Sequence, residues 1–384
     1  MKNNLKRNTK YIFYIILIQK DVMKAVKEAG FKAKYWHTED DKIVCDLCPR
    51  ECKLKEGKRG LCFVRKNENN EMILTTYGRS SGFCIDPIEK KPLYHFYPQT
   101  PILSFGTAGC NMFCKFCQNW DISKSTEMDT LCDSASPEVI ARAAKDLNCK
   151  SVAFTYNDPV IFLEYAKDTA KECHTREIKT VAVTAGYINR EPAKELFSFI
   201  DAVNVDLKGF SEDFYHNLCS AKLQPVLDTL KYIKNETRAW LEITNLVIPA
   251  KNDSEEDIDN MTSWIAENLG YDVPLHFTAF HPDYKMIDLP STSIEALKKA
   301  QRIAQKNGLH YVYTGNIHDK DGESTYCPSC AKKLIGRDWY EMTEYNLNEK
   351  GECQFCLQKI AGYFDKKPGN WGSRRTPVRL SDFH

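Results

Sequence analysis

The 384 residues leave room for roughly two to three domains, and a hydrophobic share of 42% allows a sizeable core. Lysine and arginine number 53 against 52 aspartates and glutamates, a formal net charge of +1. No global field therefore marks the chain as a nucleic-acid binder or a membrane-surface protein.

Residues 1–22 carry Lys2, Lys6, Arg7 and Lys10 ahead of the apolar run Tyr11 to Ile18. That run is too short to span a bilayer, and no small-residue cleavage site follows it, so no membrane insertion is expected. Met23 opens a better helical segment, Met23 to Ala29, and marks the expected true start, with the preceding residues an upstream extension.

Cysteines organise the rest. Of sixteen, eleven fall in three tight groups, which in a long enzyme-like chain reads as metal ligation in a reducing, cytoplasmic compartment rather than as a disulfide framework. The other five, Cys84, Cys132, Cys149, Cys173 and Cys219, read as small buried apolar residues. The first group, Cys45, Cys48, Cys52 and Cys62, offers four soft ligands suited to tetrahedral zinc or to a fully ligated iron-sulfur cluster, with zinc slightly favoured. The proline-rich stretch 86–98 reads as extended, and His95, among Tyr94, Phe96 and Tyr97, as a packed, hydrogen-bonded residue.

The second group, Cys110, Cys114 and Cys117, is spaced C-x3-C-x2-C and follows a strand-like run that ends in glycine punctuation. Three thiolates on one loop leave one iron of a 4Fe-4S cluster without a protein ligand, free for a small molecule. A structural zinc site normally takes four ligands, and no fourth cysteine follows before Cys132.

From 101 to about 314 the pattern alternates. Strand-like runs at 101–106, 150–156, 179–184, 202–207, 239–247 and 274–280 are separated by helical stretches at 136–147, 159–173, 190–199, 254–269 and 293–306. Ser136 and Ser254 have the character of N-caps. Repeated βα units predict a parallel sheet closed or curled as a barrel, with its chemistry at the C-terminal strand ends. Thr155 to Pro159, Thr184 to Tyr187, Asp206 to Gly209, Glu242 to Asn245 and His281 to Tyr284 are thereby expected to face the cysteine loop.

The third group, Cys327, Cys330, Cys353 and Cys356, forms two C-x2-C knuckles at zinc-ribbon spacing, with residues 346–351 as the hairpin between them. Iron accepts the same sulfur tetrahedron. The basic residues Lys366, Lys367, Arg374, Arg375 and Arg379 read as a solvated tail.

The string from Cys110 to Trp120, with Phe116 just before the third cysteine, resembles the signature of radical S-adenosylmethionine (SAM) enzymes in the branch related to glycyl-radical-enzyme activases. Cys45-x-Leu47-Cys48-Pro49-x2-Cys52, with Gly57 and Gly60 ahead of Cys62, resembles the N-terminal module of the AmmeMemoRadiSam-system radical SAM enzymes. The likeness runs from about residue 40 to about residue 362. It implies an α/β fold, a partial (β/α)6 TIM-like barrel with small Cys-rich metal-binding modules at both ends. The expected division is 1–40 extension and helix, 41–98 Cys-rich module, 99–318 barrel core, 319–364 zinc-ribbon-like module and 365–384 basic tail.

The resemblance further implies a 4Fe-4S cluster on Cys110, Cys114 and Cys117, and SAM on its open iron, contacted by Phe116, Asn157, Asp158, Thr184, Asp206 and Lys208. Thr155 to Pro159 is similar to Thr-Tyr-Asn-Glu-Pro, with Asp158 one methylene shorter. Ala185 stands where the family carries an amide side chain and is left out of the expected contacts. The implied activity is that of an activase-like oxidoreductase, in which reductive cleavage of SAM gives a 5'-deoxyadenosyl radical that abstracts hydrogen from a polypeptide. The alternatives are modification of RNA or a small metabolite, or a noncatalytic iron-sulfur scaffold; the near-neutral charge counts against RNA. Implied partners are SAM, a protein substrate, a ferredoxin or flavodoxin as electron donor, and Ammecr- and Memo-type proteins.

Overall fold

The structure, a computed structural model, describes residues 30–124 and 133–383. The upstream extension, the helix expected at 23–29 and Cys132 lie outside the described residues.

Nine short strands build the central sheet: β1 (Phe83–Pro87), β2 (Pro101–Phe105), β3 (Ser151–Phe154), β4 (Lys179–Thr184), β5 (Ala202–Asp206), β6 (Trp240–Val247), β7 (Leu275–Ala279), β8 (Val312–Gly315) and β9 (Thr376–Val378). Their order is β8-β7-β6-β5-β4-β3-β2-β1-β9. Strands β2 to β8 run parallel, and β1 and β9 close one edge antiparallel. The crossovers use α1 (Pro137–Asp146), α2 (Leu163–His174), α3 (Arg190–Ser198), α4 (Gln224–Glu236), α5 (Glu255–Leu269) and α6 (Ile294–Lys306). Helices covering the sheet explain why Val203, Val205 and Ile243 are fully buried, and the polar residues that alternate with them, Asn204, Glu242 and Thr244, are buried as well. Ser136 and Ser254 do cap α1 and α5, accepting from Val139 N and Asp257 N.

Several sequence expectations need correction. The sheet has one parallel strand beyond the six in the pattern, β8, paired in register with β7. Helix α4 is absent from the sequence reading, although Pro225 at its start and Val226, Leu227, Leu230 and Ile233 on a buried face are ordinary helix signals. The stretch 86–98 is not extended throughout: Ile88–Lys90 is a 3-10 turn, because proline restricts only the residue before it. The basic tail keeps Lys366, Lys367, Arg374, Arg375 and Arg379 exposed, as expected, but its backbone is docked on the sheet edge. Its β9 pairs with β1, Gly369 N bonds Pro98 O at 2.9 Å, and Leu380 is buried. Pro377 is tolerated there because β9 lies at the sheet edge. Between the C-terminal knuckles a turn does form at 348–351, where Gly351 N bonds Asn348 O at 2.9 Å. A second hairpin, Lys333–Asp338 with Glu341–Tyr345, precedes it.

Glu242, expected at the mouth, instead ties β6 to other elements in a buried network. It accepts from Tyr94 N at 3.0 Å and His95 N at 2.8 Å, and pairs with His276 Nε2 at 2.6 Å. His95 is packed as expected. Its Nδ1 lies 2.6 Å from Ala361 O and its Nε2 2.5 Å from Tyr313 Oη, so a neutral ring donates at Nδ1 and accepts at Nε2. Burial pushes the His95 pKa down to about 4 from 6.5. The unfolded chain takes up a proton below the higher value, whereas the folded chain resists until the lower one. Stability is therefore expected to fall as pH drops from about 6.5 to about 4. Urea midpoints across that range should slope less in His95→Phe; an equal slope would remove His95 as the cause.

Candidate active site

Strand β2 delivers the three-cysteine loop through Gly106-Thr107-Ala108-Gly109. A Cβ on Gly106 would lie 2.4 Å from Thr155 O, and one on Gly109, which has φ +78°, would lie 2.0 Å from Cys62 O. Only glycine fits such approaches. Asn157, after β3, holds this segment from below: its amide donates to Thr107 Oγ1 at 3.0 Å, Ala108 O at 3.2 Å and Gly109 O at 2.9 Å, and its oxygen accepts Thr107 N at 3.0 Å. On one flank Phe113 N and Lys115 N bond Cys219 O and Leu218 O at 3.0 and 2.8 Å. Across the mouth, Gln118 meets His281 Nδ1 at 3.0 Å, and Trp120 Nε1 donates to Asp283 Oδ1 at 3.1 Å. The sheet must curl for β2 and the loop after β7 to meet in this way.

Cys110, Cys114 and Cys117 line one cavity of about 640 Å³ together with strand ends from β3 to β7. The structure brings Phe116, Asn157, Asp158, Thr184, Asp206 and Lys208 to the same cavity, but commits several of their polar atoms to the chain itself. Asp158 accepts Thr184 Oγ1 at 2.8 Å, Ala185 N at 2.9 Å and Val160 N at 3.1 Å, which fixes the turn after β4. Burial raises its pKa. Lys208 Nζ pairs with Asp206 Oδ2 at 3.0 Å, and Phe116 packs on Phe214 with ring centroids 5.8 Å apart.

Three features go beyond the sequence expectations, the first at Thr244, whose position at the mouth is expected but whose unpaired hydroxyl is not. Thr244 Oγ1 is buried with no hydrogen-bond partner, and its residue lines the cavity. Such an orphan is what a bound polar ligand satisfies. Cys219 donates a hydrogen bond to Cys114 and holds that thiol below its ordinary range; a lone cysteine in sequence carries no signal of this contact. On the far side of the mouth, Arg375 from the docked tail lines the cavity beside the buried pair of Lys91 and Asp86 at 2.8 Å.

The other two cysteine groups differ in spacing. The sulfurs of Cys327, Cys330, Cys353 and Cys356 all lie within 4.8 Å of one another, with Cys327 to Cys356 at 3.5 Å and Cys330 to Cys353 at 3.7 Å. Tetrahedral zinc–thiolate bonds of about 2.3 Å put sulfurs about 3.8 Å apart, so this group can bind a metal. Cys45, Cys48, Cys52 and Cys62 line a separate small cavity; among the described residues no three of these sulfurs meet the same spacing.

The chain is 41% identical over 336 residues to an uncharacterized protein of Methanocaldococcus jannaschii, MJ0808, covering 87% of this chain and 99% of that one. It is 22% identical over 280 residues to the 4-hydroxyphenylacetate decarboxylase activating enzyme of Clostridioides difficile, covering 68% and 86%. Among solved structures it is similar to a domain of a pyruvate-formate lyase-activating enzyme from Bacteroides vulgatus, with TM-score 0.39, 17% identity and coverage of 43% and 99%. The family model of the radical SAM superfamily matches residues 105–265, which contain the cysteine loop and strands β3 to β6. Residues 105–265 are a radical SAM superfamily domain.

Proposed function

We propose that this chain cleaves SAM reductively at a 4Fe-4S cluster held by Cys110, Cys114 and Cys117, and abstracts hydrogen from a polypeptide substrate. A domain of this superfamily implies the cluster and SAM, which together supply one-electron cleavage of a sulfonium–carbon bond to methionine and a 5'-deoxyadenosyl radical. The observation that carries the reading is the donor set: three cysteines of one loop line the mouth cavity, and among the described residues no other cysteine lines it, Cys219 touching Cys114 from outside that lining. Such a set holds a cubane and leaves one iron open.

The chain's own residues bind, orient and shield. Asn157 fixes the base of the loop, Asp158 fixes the Thr184–Ala185 turn, and Cys219 gives a hydrogen bond to one ligand sulfur, a recognised lever on cluster potential. The Thr244 hydroxyl, otherwise orphaned, is available to SAM or substrate. Support for a polypeptide substrate comes from the similarity to a decarboxylase activating enzyme. A ferredoxin or flavodoxin as electron donor and Ammecr- and Memo-type partners complete the proposal on the motif resemblance.

Anaerobically reconstituted protein is expected to form 5'-deoxyadenosine from SAM under strong reductant, and Cys114→Ala to form none. Absence of product from protein with verified cluster content and bound SAM would overturn the reading. We assign the C-terminal cysteines to zinc. Purified protein should carry zinc that Cys330→Ser loses, with thermal unfolding lowered by at least about 2 °C; iron in its place, or an unchanged unfolding temperature, would refute that assignment.

A further inference from the structure

Cys45, Cys48, Cys52 and Cys62 take no part in that chemistry, yet the fold gathers them. Cys45 closes the strand Lys42–Cys45, and its N–H bonds Cys52 O at 3.0 Å. Gly60 sits so close that a Cβ there would lie 3.7 Å from Cys62 Sγ and 3.8 Å from Cys52 Sγ. All four cysteines line one cavity with Arg50, Arg65 and Asn111. Their spacing sets them apart from the C-terminal group: among the described residues, the C-terminal sulfurs lie within 4.8 Å of one another and no three N-terminal sulfurs do. One ion draws thiolates closer than that, whereas a cubane several ångströms across holds them apart around itself.

One wall group also suits an anionic inorganic group. Arg65 is buried but already paired with Glu164 at 2.6 Å, so the role falls to Arg50. Arg50 has a buried Nη2 with no partner, and an N–H of this kind is what a cluster sulfide or thiolate accepts. The cavity stands directly behind the loop that carries Cys110. Asn111, the next residue, lines it, Arg50 Nε donates to Asn111 O at 2.9 Å, and the Gly109 backbone packs on Cys62 O.

We propose that Cys45, Cys48, Cys52 and Cys62 hold a second iron-sulfur cluster that passes one electron to the Cys110–Cys117 site, a role that rests on the reading of that loop as the SAM site. A reduced ferredoxin- or flavodoxin-class donor gives up one electron and is oxidised. The second cluster gains that electron and then loses it to the first. No covalent bond forms or breaks, and no proton is required.

The test uses the full chain reconstituted anaerobically with iron and sulfide. With Cys110, Cys114 and Cys117 all changed to alanine, roughly four irons per chain should remain, with the electron paramagnetic resonance signal of a reduced 4Fe-4S cluster. Zinc there, or no metal, overturns the proposal. Because that variant lacks the loop ligands, and a single iron on the C-terminal cysteines gives no 4Fe-4S signal, its cluster signal reports on the second site even if the wild-type loop takes no cluster, an outcome that would sink the proposed function instead. Conversely, the Cys48→Ser, Cys52→Ser variant should keep the loop's share of iron, while freeze-quench resonance shows its reduction by reduced flavodoxin slowed at least about tenfold. An unchanged rate refutes the relay. If that variant does not fold, Arg50→Met keeps all the cysteines, and its second cluster should titrate at a more negative potential than the wild type; an unshifted potential counts against the site.

Discussion

Asn157→Leu is expected to lower 5'-deoxyadenosine formation by about 30-fold or more, the rate equivalent of roughly 2 kcal/mol, while the chain stays folded. The side chain is buried and makes four hydrogen bonds to the three residues that launch the cysteine loop. Leucine has the same heavy-atom count and branching but satisfies none of them. The Thr107 N–H and the Ala108 and Gly109 carbonyls then lose the partner that holds them, at about 1 to 3 kcal/mol for each buried group left unpaired. The cheapest relief is for the segment 107–109 to move, and Gly109 cannot move far because its backbone abuts Cys62 O. Displacement therefore passes to Cys110. Asn157→Asp should be similarly impaired, since it keeps the acceptor for Thr107 N but sets a carboxylate against the Ala108 and Gly109 carbonyl oxygens. The measurement is product rate per iron, beside thermal unfolding. A full rate in Asn157→Leu with the loop cluster loaded would show that the loop does not depend on this residue.

That role was not legible in the sequence, where Asn157 stands as an expected SAM contact. A motif names the residues near a cofactor; which of their polar atoms the chain has already used is a matter of tertiary geometry. Asp158 makes the same point, with both oxygens committed to the turn after β4. Features set by spacing over a few residues are legible locally: the C-x3-C-x2-C loop, the βα alternation and the two knuckles. What was missed depends on partners far along the chain. Strand β8 is short, and its pairing with β7 is its main support. Strand β9 contains a proline and becomes a strand only because the edge of β1 is open to it. The apposition of the Cys45–Cys62 segment to the cysteine loop rests on contacts such as Arg50 to Asn111, sixty-one residues apart. Helix α4 is the exception, since its periodicity is present in the sequence.

The same long-range docking sets the second large effect. Glu164→Ala should destabilise the attachment of the N-terminal segment by about 3 to 5 kcal/mol, the range for stranding one member of a buried ion pair. Arg65 and Glu164 are 1% and 4% exposed, with Nη2 and Oε2 2.6 Å apart. Neither group is spare: Glu164 also accepts Lys34 N at 2.7 Å, while Arg65 donates to Lys34 O at 3.0 Å and Ile161 O at 3.2 Å. The pair thus joins the strand Arg65–Glu68 and the segment at Lys34 to the first turn of α2. Removing the carboxylate leaves the guanidinium buried with only carbonyl partners, and its cheapest escape is to water, which requires the segment to lift from the barrel. The local nature of that opening makes hydrogen exchange across residues 30–75 the proper readout, with protection there lost before protection in β3 to β6. The double variant Arg65→Met, Glu164→Leu should recover much of the protection, because it removes both charges together and refills the volume with apolar atoms. If Glu164→Ala exchanged like the wild type, the pair would not be what docks the segment. If the double variant were no better than the single one, the hydrogen bonds to Lys34 and Ile161, rather than the compensation of charge, would carry the attachment.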